Sequence, residues 1–230
     1  MLNREFQIKI AILSMLAFLA GGCAPKAVKK VDAPAPVVVL DKQNLADGLK
    51  AYENGDYQNA MSLLKPLAEQ GAPEAQNQLG EMYQLGKGVA QDDKLAVEWF
   101  TKSAQKGYAE AQSHLGFMYF EGRGIRHDNH LAIEWYQKAA DQGLASAQNH
   151  LGFMYSEGLG VKKDSRMAVE WYRKAADQGL ASAQYHLGYM YGKGLGVKKD
   201  REMALYWYRK AAEQGHDLAV LAVRRFSKAR

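Results

Sequence analysis

Residues 145–180 read ASAQNHLGFMYSEGLGVKKDSRMAVEWYRKAADQGL, and residues 181–216 read ASAQYHLGYMYGKGLGVKKDREMALYWYRKAAEQGH. The two stretches agree at 26 of 36 positions, and the same spacing continues towards both ends of the chain. Ala75, Ala111, Ala147, Ala183 and Ala219 stand 36 apart. So do Leu79, Leu115, Leu151 and Leu187, the series Gly80 to Gly188, the series Tyr83 to Tyr191, and Trp99, Trp135, Trp171 and Trp207. A period between about 20 and 50 residues marks a stack of supersecondary units, either a solenoid or a propeller. The pattern inside one unit decides between them. Ala111, Leu115, Met118 and Tyr119 recur at i, i+4, i+7 and i+8, Gly122-Arg123-Gly124 breaks the run, and Leu131, Ala132, Trp135, Tyr136 and Ala139 form a second helical face that ends at Gly143. No alternating strand pattern intervenes, so the expected fold is all-α, an α-α solenoid of helix pairs.

The turn residues agree with that reading. Pro73 suits a first helical position, Asp128, Asp164 and Asp200 suit N-caps of second helices, and Gly107, Gly143, Gly179 and Gly215 suit the left-handed position after a helix. A single pair cannot bury its apolar stripe, whereas stacked pairs form a continuous core. The small Ala and Gly positions let helices approach, and the Trp and Tyr ladders are expected to fill the seams.

Composition narrows the functional classes. The chain has 230 residues, 47% of them hydrophobic and 24% charged, which is a globular composition. Its one cysteine excludes a disulfide framework, a cysteine zinc site and a two-cysteine redox centre. The net charge of +5 sits at the ends, because residues 43–223 carry −2. A near-neutral body lacks the basic stripe of a nucleic-acid-binding domain, and no nucleic-acid partner is expected.

At the N-terminus, Arg4 and Lys9 precede an apolar-to-neutral run from Ile10 to Ala20, followed by Gly21-Gly22-Cys23. That order is the n-region, h-region and small-residue site of a secretory signal peptide, and the run is too short to span a bilayer. Leu19-Ala20-Gly21-Gly22-Cys23 resembles the bacterial lipobox, with Ala20 where Leu is more usual. The resemblance implies cleavage before Cys23 and acylation of that residue, palmitate included. Several acyl chains are needed for stable anchoring, since each buried CH₂ contributes only ~0.8 kcal/mol. Ala24 in place of Asp implies passage to the outer membrane. Pro25, Pro34 and Pro36, with Lys26, Lys29 and Lys30, mark an extended tether whose nineteen residues after Cys23 reach about 65 Å at ~3.3 Å or slightly more per residue.

The sequence carries no recognisable catalytic constellation. Gly192, Gly194 and Gly196 follow no strand, and the same loop recurs in every unit, so they read as turn residues and not as a phosphate loop. There is no Gly-x-Ser-x-Gly elbow and no His-Glu-x-x-His helix. His114, His150 and His186 form a ladder, but stacked helices lie ~8–10 Å apart and zinc wants each ligand nitrogen at ~2.0–2.1 Å. His127 and His130 are replaced by Lys163 and Arg166 in the next unit. No metal, cofactor, small-molecule substrate or enzymatic activity is expected.

The unit Ala-x-Ala-Gln-x-x-Leu-Gly-x-Met-Tyr-x-x-Gly-x-Gly-Val-x-x-Asp, continuing to Trp-Tyr-x-Lys-Ala-Ala-x-Gln-Gly, closely resembles the Sel-1-like repeat of the tetratricopeptide superfamily. The resemblance implies a right-handed superhelix and divides the chain into a signal peptide (1–22), an acylated Cys and tether (23–42) and a tetratricopeptide-like helix pair (43–72). Four Sel-1-like units follow (73–108, 109–144, 145–180 and 181–216), then a C-terminal capping helix with a basic tail (217–230). By analogy with tetratricopeptide grooves, partners would meet a stripe on the first helix of each unit. That stripe contains Glu74, Asn77, Glu81 and Gln84, then Glu110, Ser113, Phe117 and Phe120, then Ser146, Asn149, Phe153 and Ser156, then Ser182, Tyr185, Tyr189 and Gly192. It changes from acidic to aromatic, and Phe117, Phe120, Phe153, Tyr185 and Tyr189 would form an exposed patch of the kind that supplies hot spots. A second candidate surface is the loop edge with Arg123, Arg126, Lys162, Lys163, Lys193, Lys198 and Lys199. The resemblance thus implies a lipid-anchored periplasmic adaptor for protein partners of the bacterial envelope. Its alternatives are an immunity protein masking a toxic effector such as a phospholipase, and a cell-wall-associated hydrolase.

Overall fold

The computed structural model describes residues 41–228, with side chains as far as Phe226. The expected signal peptide, Cys23 and nearly all of the tether lie outside the described residues. Among those residues there are eleven α-helices and no strand. They are α1 (Lys42–Glu53), α2 (Tyr57–Glu69), α3 (Pro73–Leu85), α4 (Asp93–Gln105), α5 (Ala109–Glu121), α6 (Asn129–Asp141), α7 (Ala145–Glu157), α8 (Ser165–Asp177), α9 (Ala181–Lys193), α10 (Arg201–Glu213) and α11 (Asp217–Lys228). None is long and apolar enough to cross a membrane.

Each helix packs on its predecessor and its successor, the connectivity of a solenoid in which stability is a sum of nearest-neighbour terms. The apolar cores sit in the seams between units. Between the second and third units, Ala132, Tyr136, Ala139 and Ala140 of α6 meet Ala147, Leu151 and Met154 of α7, and Trp171 of α8 closes the cluster. The next seam repeats this with Ala168, Val169, Tyr172, Ala175 and Ala176 against Ala183, Leu187 and Met190, closed by Trp207. The Tyr and Trp ladders are therefore structural, as their spacing suggests. Lys138 and Lys174 lie over the faces of Trp135 and Trp171 at 3.8 and 3.9 Å.

Within a unit the two helices close on a glycine. A Cβ at Gly152 of α7 would come to 2.6 Å from Cδ1 of Tyr172, so only hydrogen leaves room for that ring. The connecting loop docks on the preceding unit through Gly196, whose φ of +68° suits glycine and whose Cβ would run into the Ser165 carbonyl. Asp164 caps α8 by accepting from the backbone N–H groups of Arg166 and Met167, Asp128 caps α6 in the same way, and Asp200 caps α10 by accepting from Met203 N–H.

Polar ties cross every seam. Gln148 is buried, and its Nε2 donates to the Ala140 carbonyl at 3.2 Å. Gln178 in turn donates to Gln148 Oε1 at 2.8 Å and to the Gly143 carbonyl at 2.9 Å. The same trio recurs as Gln112 with Gln142 and as Gln184 with Gln214. Burying an amide is costly unless its partners are supplied, and here each supplies the other.

Candidate partner-binding surface

Each seam has one edge where first helices of neighbouring units meet side chain to side chain. His114 Nδ1 donates to Asn77 Oδ1 at 2.9 Å, and His186 Nδ1 donates to Asn149 Oδ1 at 3.1 Å. Each histidine also lies against an aromatic ring of the preceding second helix: His114 on Phe100, His150 on Tyr136 and His186 on Tyr172, with centroids 4.7–4.8 Å apart. Burial disfavours the charged imidazole. It lowers the pKa of His114 and His150, and it drives that of His186 down to about 4, with His216 and His150 adding to the effect. This ladder is a seam component made of neutral rings.

The acidic end of the stripe is largely engaged within the chain. Glu81 accepts from Asn77 at 3.3 Å, from Gln78 at 3.2 Å and from the Tyr52 hydroxyl at 3.4 Å, and it lies 3.7 Å from His114 Nε2. Lys87 donates to the Tyr52 hydroxyl and sits over that ring. Glu74 is half-buried and Glu110 is exposed.

The five aromatics separate into two groups. Phe117 and Phe120 pack against the seam cores, Phe120 also meeting Phe153 edge to face at 6.2 Å. Tyr185 is held in a stack with His216 at 4.8 Å, Tyr208 and His186. Phe153 and Tyr189 remain 37% and 42% exposed, and they border an open cavity of ≈ 260 Å³. Its other walls are Tyr172, His186, Met190 and Leu195, and Ser156, Glu157, Lys163 and Ser165 add polar groups. Burial raises the Tyr172 hydroxyl pKa to about 12, so the phenol stays protonated at neutral pH. Asn149 is occupied by His186 at the same seam.

The loop edge is less uniform than its sequence. Arg123 forms a bidentate pair with Asp93 at 2.7 and 3.1 Å, whereas Lys162, Lys163, Lys198 and Lys199 are exposed without such pairing. Among the described residues, no group of three or more His, Cys, Asp or Glu is placed to hold a metal. Reading the sequence placed Phe153 and Tyr189 on the surface stripe but missed Tyr172, His186 and Leu195 as neighbours of the same cavity. The signal was present: Ser156 stands where the preceding unit has Phe120.

A repeating all-α stack with buried polar ladders and one surface of exposed aromatics defines an α-solenoid. The Sel1 repeat model matches residues 73–108, 109–144, 145–180 and 181–216, and the chain belongs to the Sel1 repeat family. It is similar to a Sel1 repeat protein from Oxalobacter formigenes, at 38% identity and a TM-score of 0.73 over 78% of this chain and 72% of that one. It is also similar to a protective antigen with an SLR fold from uropathogenic Escherichia coli. That match has 42% identity and a TM-score of 0.73, and spans 79% of this chain but 40% of the antigen. A Sel1 repeat protein from Klebsiella pneumoniae shares the fold at 23% identity, with a TM-score of 0.56 over 82% of this chain and 97% of that one. No curated protein sequence matches the chain. Sel1 repeat proteins act as protein–protein interaction scaffolds.

Proposed function

We propose that this protein is a non-catalytic scaffold of the bacterial cell envelope, held by lipid on Cys23 to the outer membrane, which binds partner proteins along the first-helix stripe. The observation that carries the reading is the pair Phe153 and Tyr189, exposed on neighbouring first helices at the mouth of a cavity. Soluble domains bury aromatic rings wherever their own packing allows, and rings left out beside a concavity are the usual anchors of protein interfaces. The same stripe is where first helices of adjacent units meet side chain to side chain, His114 with Asn77 and His186 with Asn149. The lipid anchor rests on Leu19-Ala20-Gly21-Gly22-Cys23 and on the tether, which would let the body work away from the bilayer.

The test is a benzophenone photocrosslinker at position 189 in the native, processed protein, with a control probe at Lys199 on the loop edge. The expected result is a dominant protein adduct at 189 and little at 199, identified by mass spectrometry. Adducts at 199 alone would move the interface to the loops and reject the stripe. In the same cells, Cys23→Ser should abolish palmitate incorporation and release the body from the membrane fraction; unchanged fractionation would reject the anchor.

A further inference from the structure

The positions 84, 120, 156 and 192 are equivalent in the four units, and each faces the seam to the next unit. At the first two seams the chain closes this place itself. Gln84 Nε2 donates to Met118 Sδ at 3.5 Å across the first. Phe120 fills the second, packing on the core that contains Met154 and meeting Phe153 edge to face. At the fourth, Gly192 has no side chain, and Phe226, equivalent to Met190, would stand 3.1 Å from a Cβ there; the two border a more open hollow of ≈ 400 Å³ whose other walls, Lys199, Arg201 and Arg225, are cationic. At the third seam Ser156 replaces Phe120, and a cavity with largely aromatic and apolar walls opens between it and Met190.

We infer that this cavity is a specific receptor for one aromatic side chain of a partner's peptide segment, which completes the third seam as Phe120 completes the second. The inference deepens the scaffold reading and rests on it for the identity of the occupant as protein. The cavity of ≈ 260 Å³ exceeds the ~150 Å³ void that accepts benzene, and its walls are the ones that already hold a ring one unit earlier. Tyr172, His186 and Tyr189 are the equivalents of Tyr136, His150 and Phe153, and one unit earlier Phe120 packs on the cluster that contains Tyr136 and meets Phe153 edge to face. Edge-to-face contact with Tyr189 would reproduce the pairing of Phe120 with Phe153. The polar lining residues Ser165, Glu157 and Lys163 suit the backbone that carries the ring, because they offer a hydroxyl, an acceptor and a donor, while Ser156 Oγ already donates to the Phe153 carbonyl at 2.9 Å. A free small aromatic would have no use for those groups.

The probes are the peptide Ac-Gly-Phe-Gly-NH₂, its Ala counterpart and benzyl alcohol, each titrated into the full chain with methyl-labelled Met and Leu followed by NMR. The Phe peptide is expected to shift the Met190 and Leu195 methyls saturably, at least tenfold more tightly than the Ala peptide. Ser156→Phe should fill the site from within, abolish those shifts and raise Tm by about 2–4 °C. Phe120→Ser should create a second site, reported by Met154, and it serves if Ser156→Phe does not fold. Shifts that survive Ser156→Phe, or equal responses to the Phe and Ala peptides, would overturn the inference. So would saturation by benzyl alcohol alone, which would make the site one for a free small molecule. Position-189 adducts that persist in Ser156→Phe, without any peptide response, would reject the ring receptor and leave the scaffold standing; loss of position-189 adducts from the unmodified site would reject both.

Discussion

At the residue scale, one hydrogen atom decides whether a helix pair closes. Gly116, Gly152 and Gly188 are equivalent, yet a Cβ would meet the facing tyrosine at 3.0, 2.6 and 2.9 Å. Over-packing of this kind costs about 1–3 kcal/mol, partly offset by the ~1 kcal/mol helix preference of Ala over Gly. Gly152→Ala should therefore lose about 1–2 kcal/mol and Gly116→Ala the least of the three, as read by urea midpoints. Equal losses at all three sites would mean that helix propensity and not ring clearance governs the position. The sequence makes such small positions visible because they repeat, but it hides which aromatic is covered. Phe117, Phe120, Phe153, Tyr185 and Tyr189 look alike in the repeat, and only the neighbour about 36 residues away settles their fate. His216 stacks on Tyr185 at 4.8 Å, whereas Phe153 meets only the edge of Phe120 at 6.2 Å and Tyr189 lies under Lys193 at 6.0 Å, and both stay more than a third exposed.

At the element scale, helix ends were legible and seam hydrogen bonds were not. Asp128, Asp164 and Asp200 cap second helices because a carboxylate before an apolar run has one local use, and Gly122, Gly158 and Gly194 end first helices in the left-handed region. Gln148, by contrast, reads as an ordinary polar residue, and its purpose depends on a carbonyl in the previous unit. It is buried, donates to Ala140 and accepts from Gln178, so removing it takes two hydrogen bonds from the seam at once. Gln148→Ala should cost about 1–3 kcal/mol, the net worth of two hydrogen bonds at ~0.5–1.5 kcal/mol each. Hydrogen exchange would localise the loss: α6, α7 and α8 should exchange faster, while α3 and α4 stay protected. Uniform acceleration across all helices would show that the seam does not act as a local unit.

At the scale of the whole molecule, periodicity makes the architecture readable and also multiplies any defect of the seam. Each of three consecutive seams contains one histidine, His114, His150 or His186, held neutral by burial against an aromatic ring. Their folded pKa values lie below the ordinary value of about 6.5, and that of His186 is driven to about 4. Above pH 6.5 both folded and unfolded chains are neutral at these positions, and the seams keep their full stability. As pH falls from about 6.5 towards 4 the unfolded chain takes up protons that the folded one refuses, so stability declines, by up to about 1.4 kcal/mol per pH unit for each histidine. Glu81 and Glu110 oppose the effect at His114, which leaves His150 and His186 as its main source. Tyr172, Tyr185, His216 and the Asn149 carbonyl surround His186, and none of these carries the compensating negative charge that would hold it protonated. Urea midpoints measured between pH 7.5 and 5 should therefore fall steadily, and His186→Gln should flatten the decline while shifting the midpoint at pH 7.5. A decline that His186→Gln leaves untouched would place the acid sensitivity outside the histidine ladder and refute its assignment as the common weak point of the stack.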